Sequence, residues 1–277
     1  MPEWKDYPAA VDPSRHGVVG CIKQLERVHS PQLGNDRDLL VYLPPSYDDG
    51  SNARYPVVYM HDGQNLFDPA TSFAGEWAVD QTLEAASEDG LEVIVVAIPN
   101  MGPERTDEYS PFRDETLDGG QGGGGRGELY LRFIAETVKP LVDRSFRTLT
   151  DPANTGISGS SMGGLISLYA FFRYRHVFGF AGVMSPSLWF ADRAMLEWVK
   201  RQQFVGGRIY IDVGMKEGER TLQDVMLLRD ILEAKGYRNL DDLMFVVDTA
   251  GDHSERAWAR RVRRKLAFVL GQSARRG

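Results

Sequence analysis

A short run with the composition of a buried strand, Asn154-Thr155-Gly156-Ile157-Ser158, leads directly into Gly159-Ser160-Ser161-Met162-Gly163, and an apolar, helix-like run follows from Leu165 to Phe171. Gly-x-Ser-x-Gly between a strand and a helix is the sequence form of a nucleophile elbow. The turn is so sharp that side chains at Gly159 and Gly163 are expected to collide with neighbouring elements. Ser161 then stands at the helix N-terminus, where free N–H groups favour developing negative charge. Few folds supply such a junction, so these residues constrain the whole chain.

Strand-like runs are expected at Val18–Val28, Asp38–Leu43, Val57–His61, Val93–Ile98, Thr155–Ser158, Phe180–Met184, Arg208–Val213 and Asp242–Val247. Helix-like stretches are expected at Trp77–Ser87, Glu128–Phe146, Met162–Tyr174, Asp192–Arg201, Thr221–Lys235 and Ser254–Leu270. The first two strands follow each other directly and predict an antiparallel start. The later strand–helix–strand alternation predicts right-handed crossovers and a mostly parallel sheet covered on both faces. The unbroken apolar run Val93–Ile98 fits a strand buried on both sides.

No repeat or interdomain linker interrupts the 277 residues, which read as one α/β domain, with 1–17 as an N-terminal extension and 271–277 as a tail. A net charge of −7 argues against nucleic acid and anionic membrane surfaces as partners. Cys21 is the only cysteine, in an apolar run, and reads as a packed small residue. The N-terminus lacks an apolar leader segment and no run approaches a membrane span, so a soluble, cytoplasmic protein is expected.

A serine hydroxyl needs a base, and the base needs orienting. In folds with this elbow the chain order is Ser, then Asp or Glu, then His. After Ser161 the histidines are His176 and His253. His176 lies just past the elbow helix, too near to swing back, and reads as a surface or C-cap residue. His253 follows the last strand, on a loop at the C-terminal end of the sheet, where such sheets build their sites. The acid is sought in the loop after Ile209–Val213. Glu217 is the choice there, with Asp212 read as structural and Glu219 and Asp224 as helical. His16 and His29 lie near the N-terminus, while His61 ends a strand near the expected cleft and reads as a pocket-shaping residue. No His-Glu-x-x-His or similar spacing exists, so neither metal nor cofactor is expected.

Stabilising a tetrahedral oxyanion takes the N–H after the nucleophile, here Met162, and one from an earlier strand–helix loop. In Asp62-Gly63-Gln64-Asn65, Gly63 is expected to let the backbone turn so that the Gln64 N–H points inward. The glycine-rich Gly119–Gly127 has no Walker pattern and reads as a flexible surface loop flanking the cleft.

The segments Val41-Tyr42-Leu43-Pro44-Pro45, Tyr59–Asp68, Gly75-Glu76-Trp77, Ile98-Pro99-Asn100, Arg105–Phe112, the elbow, Ser185-Pro186-Ser187-Leu188-Trp189 and Gly251–Trp258 occur in this order. With them the chain resembles the Putative esterase family of α/β-hydrolases, the esterase D-like or enterochelin-esterase-like group, from about Cys21 to Val269. The resemblance implies an α/β-hydrolase fold without a large lid, because Ser185–Asp192 is short, and an open cleft suited to a small acyl group on a bulky alcohol. It implies Ser161 as nucleophile, His253 as base, Gln64 and Met162 as oxyanion donors and the loop of Glu217 as source of the acid. It further implies that Arg105, Glu108 and Tyr109 order the cleft wall. Asp62, Asn65 and Asn100 join the expected substrate contacts. Trp77 and Trp189 are candidates for pocket lining, with core packing as the competing reading. The expected activity is carboxylic ester hydrolysis through an acyl-enzyme, on short-acyl or aryl esters of a small-molecule, sugar or siderophore-type alcohol. An acyltransferase using the same residues and a non-catalytic binding module of the same fold stand as alternatives; homo-oligomerisation is left open.

Overall fold

The computed structural model describes residues 3–7 and 16–271, so the expected N-terminal extension and C-terminal tail fall largely outside the described residues. Strands β1 (Lys5–Asp6), β2 (Cys21–Ser30), β3 (Asn35–Leu43), β4 (Val57–His61), β5 (Ile94–Ile98), β6 (Arg113–Asp114), β7 (Gly123–Gly124), β8 (Thr155–Ser160), β9 (Phe180–Met184), β10 (Arg208–Gly214) and β11 (Leu243–Asp248) follow in chain order. All but β6 and β7 join one sheet in the order β1-β2-β3-β5-β4-β8-β9-β10-β11. The pairs β1–β2, β2–β3 and β3–β5 are antiparallel and every later pair is parallel. This is the α/β-hydrolase architecture.

Helices α1 (Val79–Ser87), α2 (Arg105–Glu108), α3 (Gly127–Arg132), α4 (Lys139–Ser145), α5 (Met162–Arg173), α6 (Phe190–Arg201), α7 (Glu219–Lys235), α8 (Glu255–Ala259) and α9 (Val262–Val269) cover the sheet. Because side chains alternate along a strand, each buried strand feeds two cores. Val57 and Tyr59 of β4 pack with α3 to α7, whereas Val58 and Met60 pack with α1, α8 and α9. Among the described residues no helix is long and apolar enough to cross a membrane.

Two expected helices are interrupted. Glu128–Phe146 breaks into α3, a π-helical turn over Phe133–Val138, and α4. Pro140 has no N–H to donate and crowds the carbonyl four residues back, so the ladder widens just before it. Ser254–Leu270 likewise divides into α8 and α9. The glycine-rich segment also departs from a flexible loop. Gly123–Gly124 pairs with Arg113–Asp114, and Gly125 and Gly127 both donate N–H bonds to the Ser110 carbonyl. A Cβ on Gly124 would lie 2.2 Å from the Phe112 oxygen, so tight packing selects glycine there.

The chain runs from β4 to β5 on one side and reaches β8 on the other. The C-terminal ends of β4 and β8 therefore flank the reversal in strand order, where open α/β sheets leave a crevice.

Candidate active site

The elbow carries its strain on the serine. Ser161 holds φ 58° and ψ −123°, a region that side chains rarely adopt. Its N–H donates to the Met184 carbonyl at 3.0 Å, and its own carbonyl accepts from Ser187 and Leu165. These bonds fix the strained turn. A Cβ on Gly159 would approach Gly163 and the His61 ring at 2.9 Å, so the elbow closes tightly onto the residue below it.

The parallel register sets Gly214 beside Asp248, which brings the loops after β10 and β11 to the same end as the elbow. There the Ser161 Oγ lies 3.0 Å from His253 Nε2, and His253 Nδ1 lies 2.8 Å from Glu217 Oε2. The Glu217 side chain is 1% exposed and that of His253 44%. Burial pushes the Glu217 carboxyl up, but bonds from His253, Ser185 and the Gly214 N–H outweigh it and hold the group below its ordinary range. A hydroxyl touching an imidazole that is anchored by a buried carboxylate is an arrangement able to generate an oxygen nucleophile. The other acids weighed from the sequence stay away from His253. Asp212 is buried, lies 3.0 Å from Arg261 Nε as an ion pair, and is pushed up to about 6 by burial. Asp224 pairs with Arg193 at 2.7 Å. His176 is exposed and stacks on Tyr174.

Ser161 and His253 open into a cleft of about 950 Å³. Gln64, Asn65, Asn100 and Arg105 line it, as does Trp77, which is 2% exposed and packs against Trp258. Asp62 also borders the cleft, but its carboxylate is occupied. Arg105 grips both oxygens at 2.7 and 2.8 Å and Asn100 donates at 2.6 Å. Met162 is the first residue of α5, so its N–H has no acceptor within the helix. Its side chain is buried and the residue does not line the cleft.

Three expected substrate contacts lie elsewhere. His61 is buried beneath the elbow, its Nδ1 2.8 Å from the Tyr130 hydroxyl, and burial pushes its imidazole down to about 3. It supports the turn as a neutral ring rather than shaping the pocket. Glu108 is fully buried in a two-pronged ion pair with Arg37 at 2.7 and 2.9 Å and does not line the cleft. Trp189 is 45% exposed but borders the surface beside α6, outside the cleft. Gly63 also serves differently from expectation. The positive φ of 54° belongs to Asp62, whereas a Cβ on Gly63 would lie 2.6 Å from the Ile98 nitrogen. Glycine is required there by close approach to β5. None of Gly119–Gly127 lines the cleft.

Sequence patterns passed over Phe73, a cleft-lining residue that is 93% exposed. Its loop is tied to the Gln64 turn: the Phe73 N–H donates to Asn65 Oδ1, and Thr71 Oγ1 donates to the Gln64 carbonyl. An isolated aromatic in a polar loop carries no periodic signal; its nearness to Gly75-Glu76-Trp77 was the available clue.

The sequence profile of the Putative esterase family matches residues 30–269. The chain belongs to that family. Its relatives include the uncharacterized protein YbbA of Bacillus subtilis, 28% identical over 88% of this chain and 96% of that protein. A siderophore enterobactin esterase of Emericella nidulans is 31% identical over 57% of this chain and 54% of its own length. Among solved structures, the enterobactin esterase of Shigella flexneri superposes with a TM-score of 0.73 at 20% identity, over 91% of this chain and 58% of that one. This member of the Putative esterase family thus spans little more than half of each of those two esterases.

Proposed function

We propose that this chain is a serine esterase that hydrolyses a carboxylic ester through an acyl-enzyme. The observation that carries the reading is the continuous path Ser161 Oγ–His253–Glu217, at 3.0 and 2.8 Å, opening into a cleft. Ser161 Oγ attacks the ester carbonyl carbon as its proton passes to His253 Nε2. The resulting oxyanion is met by the N–H groups of Gln64 and Met162, each contributing on the order of 3 kcal/mol. Collapse breaks the bond to the alcohol, which leaves with the proton from His253. Water activated by the same imidazole then attacks the acyl-Ser161, releasing the acid and restoring the hydroxyl. Glu217 holds the ring and supports its positive charge.

Membership of the esterase family and the names of the siderophore esterase relatives support ester chemistry on siderophore-type esters. The deciding experiment treats the protein with a fluorophosphonate probe and with p-nitrophenyl acetate. Labelling at Ser161, with loss of both labelling and turnover in a folded Ser161→Ala variant, is the expected result. Turnover that survives the substitution overturns the proposal.

A further inference from the structure

Behind the acid lies a fully buried hydroxyl. Ser185 Oγ sits 2.6 Å from Glu217 Oε1, 2.9 Å from Trp258 Nε1 and 3.2 Å from Arg261 Nη2. Indole and guanidinium nitrogens can only donate, and a hydroxyl has two lone pairs and one proton. Trp258 and Arg261 therefore use both lone pairs, and the single proton of Ser185 has one direction left, toward Glu217. Oε1 also accepts the Gly214 N–H at 2.6 Å. With two donors on Oε1, the negative charge of Glu217 is favoured, and Oε2 is left to accept from His253 Nδ1–H. That tautomer leaves the Nε2 lone pair facing Ser161.

We propose that Ser185 is the positioning residue that fixes the proton order of the site, with Trp258 and Arg261 forcing its hydroxyl to donate to Glu217. The inference rests on the esterase reading above and adds a residue to it. Two further features fit this role. Ser185 holds φ 40°, a left-handed backbone retained by a non-glycine residue, and its N–H is held by the Asp212 carbonyl at 3.0 Å. The charge of Arg261 is met by Asp212 and Asp248, so the guanidinium can stay buried without drawing Glu217 away from His253.

The test is a double-mutant cycle in the full-length protein. Ser185→Ala and Ser185→Gly are each made in the parent and in Glu217→Gln, Gly being the variant whose backbone suits the φ. The readouts are kcat and KM for p-nitrophenyl acetate and the second-order rate of fluorophosphonate labelling, with Tm reporting folding. In the parent, both variants should lose about 10- to 100-fold in kcat and labelling rate, the loss of one hydrogen bond to a charged acceptor, with KM within about twofold. In the Glu217→Gln background the same changes should cost less than about threefold, because the charged acceptor they serve, and the tautomer it fixes, are gone. Equal losses in both backgrounds, or no loss in the parent, overturn the assignment while leaving the esterase reading intact. A Glu217→Gln protein as fast as the parent removes the site reading itself, and Ser185 falls with it.

Discussion

The backbone N–H of Lys216 donates to the carbonyl oxygen of Gly251 at 2.9 Å, joining the turn that carries Glu217 to the turn that carries His253. The two side chains therefore meet across a backbone link rather than through two independent loops. Gly214 permits this approach: a Cβ there would lie 2.4 Å from the Gly251 oxygen. The same end of the sheet thus supplies the acid and imidazole as one unit facing the elbow.

Strain at the elbow should be measurable as stability. Ser161→Gly removes the proposed nucleophile and relieves a side chain from φ 58°. The variant should be inactive toward p-nitrophenyl acetate yet more stable by about 1 kcal/mol, raising Tm by roughly 2–4 °C. Thermal denaturation beside an activity assay checks both halves. A lower Tm would mean that the turn is not strained by its serine.

Glu217→Gln replaces an acceptor-only group by an amide that presents a donor to either His253 or the Ser185 and Gly214 side. The imidazole loses its fixed tautomer, and kcat should fall on the order of 10³- to 10⁴-fold. Circular dichroism should stay unchanged.

Gly63→Ala introduces a Cβ 2.6 Å from the β5 backbone, which cannot yield as a flexible side chain would. The turn must move, taking the Gln64 N–H with it. Turnover should drop by about 10²-fold or more, the effect of losing one of the two proposed oxyanion donors, with KM less affected. Steady-state kinetics on a soluble, folded variant reads this directly.

Phe73→Ala should leave Tm unchanged, since the ring is 93% exposed. Its loss should raise KM several-fold for esters that carry an aromatic group while wholly aliphatic esters respond little, because only a flat apolar group can use the ring. Equal KM values for parent and variant across such a panel would remove Phe73 from the site.

Lys265 gives a pH signature. It is fully buried, donates to Ser158 Oγ at 2.9 Å, and burial pushes its ammonium down to about 7. Between pH 7 and its unfolded value near 10.5, the unfolded chain binds the extra proton, so stability attributable to this group rises with pH. Lys265→Met should therefore be most stabilising, relative to the parent, at or below pH 7, with the advantage shrinking toward pH 10. Denaturant unfolding at a series of pH values checks the sign.

The elbow, the buried central strands and the order Ser161, Glu217, His253 were legible in the sequence, because turn chemistry and apolar periodicity are properties of neighbouring residues. Closeness to the elbow helix set His176 apart from His253, and a place in the strand rather than in the loop after it set Asp212 apart from Glu217, without coordinates. What tertiary structure alone decided depends on which strands become neighbours. Placing β4 between β5 and β8 drives His61 under the elbow and presses Gly63 against Ile98. Glu108 finds Arg37 across 71 residues of chain, and Ser185 gathers Trp258 and Arg261 from more than 70 residues away. A buried polar group takes its meaning from partners that desolvation forces it to find, and no local pattern in the sequence specifies which partners those are.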